Sequence, residues 1–199
     1  MNPHERHNMK FLIATSNFNK IAEIREILTP IGIETITPAD LDFELIEPIE
    51  DGATFHENAM IKAKSYVNQT KMPVIAEDSG LCVDALGGSP GIHSARYANT
   101  TNSKIQIATL LKALIGAENR TAHFNCTLIA LWPNGDKIIA NGKVFGEITH
   151  EPIGENGFGY DPIFKVGDLT LAQMPAEEKN KISHRKLALE DFARQYKAR

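Results

Sequence analysis

Glu77 and Asp78 stand side by side in the run VIAEDSG, with Ser79 and Gly80 behind them and a second acidic pair, Glu50 and Asp51, further upstream. Carboxylates at a strand end suit Mg²⁺, a hard ion that takes one or two of them and keeps its other positions for water and phosphate oxygens. Taken singly, such acids are more often solvated loop charges or helix caps. A second constellation is TSNFNK, Thr15 to Lys20, between a strand and a helix. There, backbone N–H groups and the positive helix end attract phosphate. Thr15, Ser16 and Asn17 flank the bend with small polar side chains, and Phe18 and Asn19 lead on to Lys20, a full charge one turn into the helix. The run lacks the glycines of a Walker loop, and Asn17 reads equally well as a plain helix cap.

Two later segments carry other chemistry. In GFGYDP, Phe158, Gly159, Tyr160 and Asp161 combine two aromatics on a glycine-flexed loop with an acid able to accept a hydrogen bond from a ring N–H. Aromatic faces stack on bases with little regard to which base; without context the same segment is a turn with core aromatics. In the triplet Ser183 to Arg185, Ser183 caps the last helix, predicted over 185–196, and places His184 and Arg185 at its start. Cations there oppose the helix dipole at a cost of roughly 0.3 to 1 kcal/mol, and a local rule broken in this way points to function. With Lys179 and Lys181 close by, the region is a donor-rich cationic patch or else a solvated basic face.

These residues must be positioned by the elements around them. Lys10 to Thr15 reads as a buried strand, and Ile21, Ile24, Leu28 and Ile31 share one face of a helix that Pro30 and Gly32 end. Thr54 and Glu57 form a capping box for a second helix with the stripe Phe55, Ala59, Ala63 and Tyr66; Lys62 lies off that stripe. Val74 to Ala76, too short for a helix, predicts a strand that delivers Glu77 and Asp78 into a loop, where Gly80 turns the backbone. Residues 86–99 read as a loop, and Ile105, Ala108, Leu111 and Ile115 predict the face of a third helix. From Ala122 to Trp132 the pattern alternates strictly, Asn134-Gly135 signals a hairpin, and Lys137 to Phe145 returns as its partner. Alternating strands and helices followed by a hairpin predict an α/β fold, a mixed β-sheet flanked by helices on both faces.

A chain of 199 residues suggests one domain, here 9–199, with residues 1–8, including His4 and His7, as a disordered extension and Met9 as the working start. Apolar residues make up 42% and charged residues 23%, which excludes disordered and fibrous classes. The longest apolar run, Leu128 to Trp132, is five residues, whereas a spanning helix needs roughly 20 and a signal peptide about 7 to 15. No membrane partner and a cytoplasmic location are therefore expected. The net charge of −4 disfavours nucleic acid, so a polyanionic ligand needs a local cation cluster and a divalent metal. Cys82 and Cys126 form no CxxC pair and read as buried thiols in a reducing compartment.

Taken in order, TSNFNK, TFHENA, EDSGL, PGIHSARY, GFGYDP and EEKNKISHR resemble the inosine/xanthosine triphosphate pyrophosphatase family, from about Lys10 to the last helix. The resemblance implies a two-lobed mixed sheet with a central cleft, a homodimer, and Mg²⁺-assisted hydrolysis of purine nucleoside triphosphates such as ITP, dITP and XTP to the monophosphate and pyrophosphate. It assigns Thr15, Ser16, Asn17, Phe18, Asn19, Lys20, Lys62 and Ser79 to the substrate, mostly its phosphates. Asp78 becomes proton acceptor and metal ligand, and Glu50 the best match for a second metal carboxylate, with Glu47 and Glu57 near enough to compete. Phe158, Gly159, Tyr160, Asp161, Lys179, His184 and Arg185 match the base pocket. Ser16, Glu77 and His93 depart from a frequent glycine, aspartate and tyrosine. Two alternatives stand beside this expectation: a pyrophosphatase for modified pyrimidine or methylated nucleotides, and a nucleotide-binding regulator without turnover.

Overall fold

The structure, a computed structural model, describes residues 10–199; the expectations for residues 1–8 and Met9 lie outside the described residues. KFLI forms β1 (Lys10–Ile13), after which Asn17 opens α1 (Phe18–Leu28) by accepting from the N–H groups of Asn19 and Lys20. A single 3₁₀ turn holding Pro30 follows, and Gly32 takes φ 80°, the left-handed region that costs glycine little. β2 (Glu34–Ile36) then pairs parallel to β1. Thr54 caps α2 (Phe55–Thr70) through the N–H of Glu57, while the Glu57 carboxylate accepts from Ala53, one residue earlier than a strict capping box places it.

β3 (Val74–Val83) pairs parallel to β1 and does not stop at the acids: it runs straight through Glu77 and Asp78 to Val83. The predicted loop at 77–80 is thus a strand interior. The reason lies in Leu81, Cys82 and Val83, a second apolar run that continues the strand, and in Ser94, whose Oγ accepts from the Leu81 N–H at 2.9 Å. Gly80 serves close approach rather than a turn, since a Cβ there would sit 2.3 Å from the Gly91 carbonyl oxygen. Next come α3 (Ser103–Ala113), β4 (Thr121–Leu131), the turn at Asn134-Gly135, β5 (Lys137–Ile148), and the short antiparallel strands β6 (Phe164–Val166) and β7 (Leu169–Thr170). α4 (Ala176–Ile182), which the sequence reading lacked, precedes α5 (His184–Lys197). The strand order is β2-β1-β3-β4-β5-β6-β7, a mixed sheet as expected.

The chain forms two compact units. The first holds the described residues to Asp78, Cys126–Gly142 and Arg185–Arg199; the second holds Ser79–Asn125 and Lys143–His184. In the first unit the alternation of β1 sends Phe11 and Ile13 to a core shared with Ile21, Ile24 and Leu28 of α1 and Leu189 and Phe192 of α5. Leu12 and Ala14 face a separate core with Ala59, Ala63 and Tyr66 of α2, so helices cover both faces of β1. Each buried Leu, Ile or Phe contributes about 1.5–3 kcal/mol relative to exposure. In the second unit Leu81, Val83, Phe124 and Phe164 pack with α3. There the buried face is Ile107, Leu110 and Leu114, not the predicted stripe; Ile105 and Ile115 are exposed. That helix is apolar on more than one side, and Gln106 decides the face by turning inward to donate to the carbonyls of Ala95 and Thr100. Among the described residues no helix is long and apolar enough to cross a membrane.

Candidate active site

The first unit gathers its charged side chains around β3. Glu77, 3% exposed, has Oε1 2.9 Å from the ammonium of Lys20 on α1, and its Oε2 accepts from Nε of Arg185, at the start of α5, at 2.7 Å. Arg185, 2% exposed, also donates through Nη1 to Glu23 of α1 at 2.5 Å. The thiol of Cys126 on β4 points its weak donor at Glu77 Oε2, 3.4 Å away. From α2, Lys62 reaches Glu50 Oε1 at 3.0 Å and donates to the Glu77 backbone carbonyl at 3.2 Å. Asn58 of the same helix donates to Asp78 Oδ2 at 3.0 Å. Lys20, Lys62 and Arg185 thereby pair with the carboxylates Glu23, Glu50 and Glu77, beside Asp78.

Environment sets the two adjacent acids apart. Burial pushes the Glu77 carboxyl up, but the charges of Arg185 and Lys20 and their hydrogen bonds outweigh it and hold the group well below the usual carboxylate range. For Asp78 burial wins: its carboxyl lies above its ordinary value, with the Glu50 charge adding to the rise while the Asn58 hydrogen bond, Lys62 and Lys20 offset part of it. Glu77 is thereby held as an anion, whereas Asp78 takes up a proton more readily than an ordinary aspartate. Cys126 stays a thiol, since burial and the Glu77 charge push it well up.

At Thr15 to Lys20 the structure shows the helix-cap arrangement. Asn17 Oδ1 accepts from the N–H groups of Asn19 (3.0 Å) and Lys20 (3.3 Å), and Thr15 Oγ1 from that of Asn17 (3.2 Å). Ser16, Asn17 and Asn19 are exposed and Phe18 stands almost fully in solvent.

The second unit carries the other set. Asp161, read from sequence as an acceptor for a ring N–H, is buried and its Oδ2 is engaged twice, by the Phe158 N–H at 2.8 Å and the Lys179 ammonium at 2.6 Å. A Cβ on Gly157 would lie 2.1 Å from that oxygen, so the glycine permits the loop's fold onto Asp161. Lys179 is itself buried, 4.3 Å over the Phe158 ring. Of the two aromatics, Tyr160 is core and its hydroxyl donates to the Ser94 carbonyl at 3.0 Å, whereas Phe158 remains 36% exposed beside Gly159. His184 lies flat on Phe124, centroids 4.9 Å apart and planes within 12°. Ser79 is half-buried in β3, next to Asp78 in the chain but in the second unit. Glu23 and Asn58 were not singled out from sequence, while Cys126 was read there only as a buried thiol, which it is.

Fold and side-chain sets together define a mixed-sheet α/β protein with a buried acid–lysine–arginine cluster on its third strand. The chain matches the Ham1 family over residues 11–195, and it belongs to that family. It is 46% identical over 187 residues to a dITP/XTP pyrophosphatase of Bacillus licheniformis, covering 92% of this chain and 95% of that one. The dITP/XTP pyrophosphatase of Aquifex aeolicus is 43% identical over 193 residues, covering 91% and 93%. Among solved structures, a HAM1 protein from Coxiella burnetii superposes with a TM-score of 0.88 at 38% identity, covering 96% of this chain and 100% of that one.

Proposed function

We propose that the protein hydrolyses non-standard purine nucleoside triphosphates, dITP, ITP and XTP, to the monophosphate and pyrophosphate. The observation that carries this reading is Asp78: a carboxyl raised by burial, steadied by Asn58, and felt by the charges of Lys62 and Lys20. A base of this kind takes the proton of a water as that water's oxygen forms its bond to the α-phosphorus; the bond to the bridging oxygen breaks and pyrophosphate departs. The ammonium groups of Lys20 and Lys62, held by Glu77 and Glu50, are the cations available to the phosphates. Phe158 offers its face to the purine, and Lys179 and His184 are the donors for a 6-keto oxygen and N7. Adenine's amino group would leave such donors unpaired. Guanine shares the keto oxygen, so its rejection needs a separate device, such as crowding near C2.

The donor set fits a hard divalent cation. Glu50 and Asp78 supply two oxygen-bearing side chains near enough to feel each other's charge, and Mg²⁺ takes one or two protein carboxylates while keeping its other positions for water and phosphate oxygens. Mg²⁺, held by Glu50 and Asp78, would neutralise the charge of the triphosphate. The reading includes a cytoplasmic homodimer, as the resemblance of the sequence motifs implies; light scattering measures the dimer directly. The deciding assay compares release of pyrophosphate and phosphate from dITP, ITP, XTP, dATP and dGTP, with and without Mg²⁺. Pyrophosphate from the first three, only with metal, is the expected result; equal rates on all five overturn the substrate assignment.

A further inference from the structure

The motif TFHENA contains a residue that takes no part in capping α2. Asn58 stands in the first turn of α2, yet its side chain is 1% exposed. A buried amide needs partners at both ends, and Asn58 has them: Oδ1 accepts from the Gly52 N–H at 2.9 Å, and Nδ2 donates to Asp78 Oδ2 at 3.0 Å. The Gly52 N–H fixes which end is which, because only an oxygen can face it. The donor end is thereby committed to Asp78. Gly52 is itself shaped for this contact: a Cβ there would fall 2.8 Å from Asn58 Oδ1 and 2.6 Å from Glu57 Cβ. Gly52 lies two residues after Glu50, so one rigid amide ties the segment that carries Glu50 to the carboxylate of Asp78.

We propose that Asn58 is a positioning residue which, through its two hydrogen bonds, holds Glu50 and Asp78 in register as a pair of metal-binding carboxylates. The inference rests on the assignment of those two acids to a divalent cation. Hydrogen-bonding partners of metal ligands fix ligand orientation, and their loss typically costs about 10- to 100-fold in affinity or activity. Lys62, also on α2, meets Glu50 at 3.0 Å, while Asn58 holds Oδ2 of Asp78 at the same distance. The amide is also neutral, so it steadies the Asp78 carboxylate without placing a competing positive charge beside it.

The test uses Asn58→Ala and, as an independent variant that keeps the amide, Gly52→Ala, whose new methyl group displaces it. Pyrophosphate release from dITP is measured against Mg²⁺ concentration, and the rise in melting temperature on adding Mn²⁺ is measured on the protein without nucleotide. Either variant that folds should lose about 10- to 100-fold in kcat and need about tenfold more Mg²⁺ for half-maximal rate, with KM for dITP within about threefold of wild type. The Mn²⁺-induced stabilisation should shrink in parallel. A purely structural role predicts a lower melting temperature with unchanged Mg²⁺ dependence and unchanged Mn²⁺ response, and that result overturns the proposal. If the wild-type protein releases no pyrophosphate, the functional reading fails by itself, and the Mn²⁺ response alone then decides the role of Asn58.

Discussion

Glu77 and Arg185, 108 residues apart in the chain, meet at 2.7 Å with both side chains almost wholly withdrawn from water. A buried charge pair need not stabilise a fold relative to an apolar pair, but removing one partner strands the other. Arg185→Met should therefore lower unfolding free energy by about 3–5 kcal/mol at neutral pH, measured by urea denaturation. The same pair fixes the acid side of the stability profile. Because the folded-state carboxyl of Glu77 is depressed, its contribution is complete above its ordinary value and is lost as pH falls through the lower folded value. Stability of the wild type should thus fall as pH drops below about 4.3, the usual glutamate value, and Glu77→Gln should flatten that part of the curve. An unchanged slope in the variant would mean that another carboxylate governs acid unfolding.

Asp78 behaves oppositely to its neighbour. Burial lifts its carboxyl, so the ionised form is disfavoured in the folded chain, and stability from this group declines as pH rises from the ordinary aspartate value through the higher folded one. Asp78→Asn should therefore be no less stable than wild type at neutral pH while hydrolysis falls about 10²- to 10⁴-fold, with triphosphate binding largely retained. Calorimetry of nucleotide binding beside the pyrophosphate assay checks both halves. Undiminished turnover would remove Asp78 from its assigned role.

Much of this site was legible in the chain, and the residues show why the rest was not. The α1 stripe and the Thr54 cap are local patterns that appear as read, and a strand forms where the Ala122 to Trp132 alternation predicts one, though it is buried on both faces from Phe124 onward. The partners of Glu77 are not local: Lys20, Arg185 and Cys126 come from three different elements, and no spacing in the sequence announces their meeting. Arg185 shows the cost most clearly. Two cations opening a helix drew attention to this position, but nothing local announced that the guanidinium meets Glu77 and Glu23. The partner of Asp161 was hidden in the same way, because Lys179 lies 18 residues on.

His184 tests the other half of the functional reading. Its ring is stacked flat on Phe124 and half-buried, so the stack fixes its plane. His184→Ala should raise KM for dITP about tenfold, the worth of roughly one lost hydrogen bond of about 1.4 kcal/mol, with a smaller change in kcat. Steady-state kinetics on dITP and XTP would show it, and a melting temperature near wild type would separate binding from folding. An unchanged KM would place this ring outside the base-recognition set.

Gly80 offers a test of the revised reading of β3. Were it a turn glycine, as the sequence suggested, Gly80→Ala would cost little provided the backbone angle suited alanine. In the strand the added Cβ would stand 2.3 Å from the Gly91 carbonyl oxygen and 2.5 Å from Ser94 Oγ, the hydroxyl that accepts from the Leu81 N–H. Backbone cannot step aside as a flexible side-chain tip can, so the strand must shift away from residues 91–94, weakening the Ser94 bond and disturbing Leu81 in the core. Overpacking of this kind costs about 1–3 kcal/mol or more. Gly80→Ala should accordingly unfold at distinctly lower urea concentration, and the Leu81 amide should exchange its hydrogen faster, while amides of α1 on the first unit keep their protection. A variant as stable as wild type, with Leu81 still protected, would restore the turn interpretation and cut β3 short at Asp78.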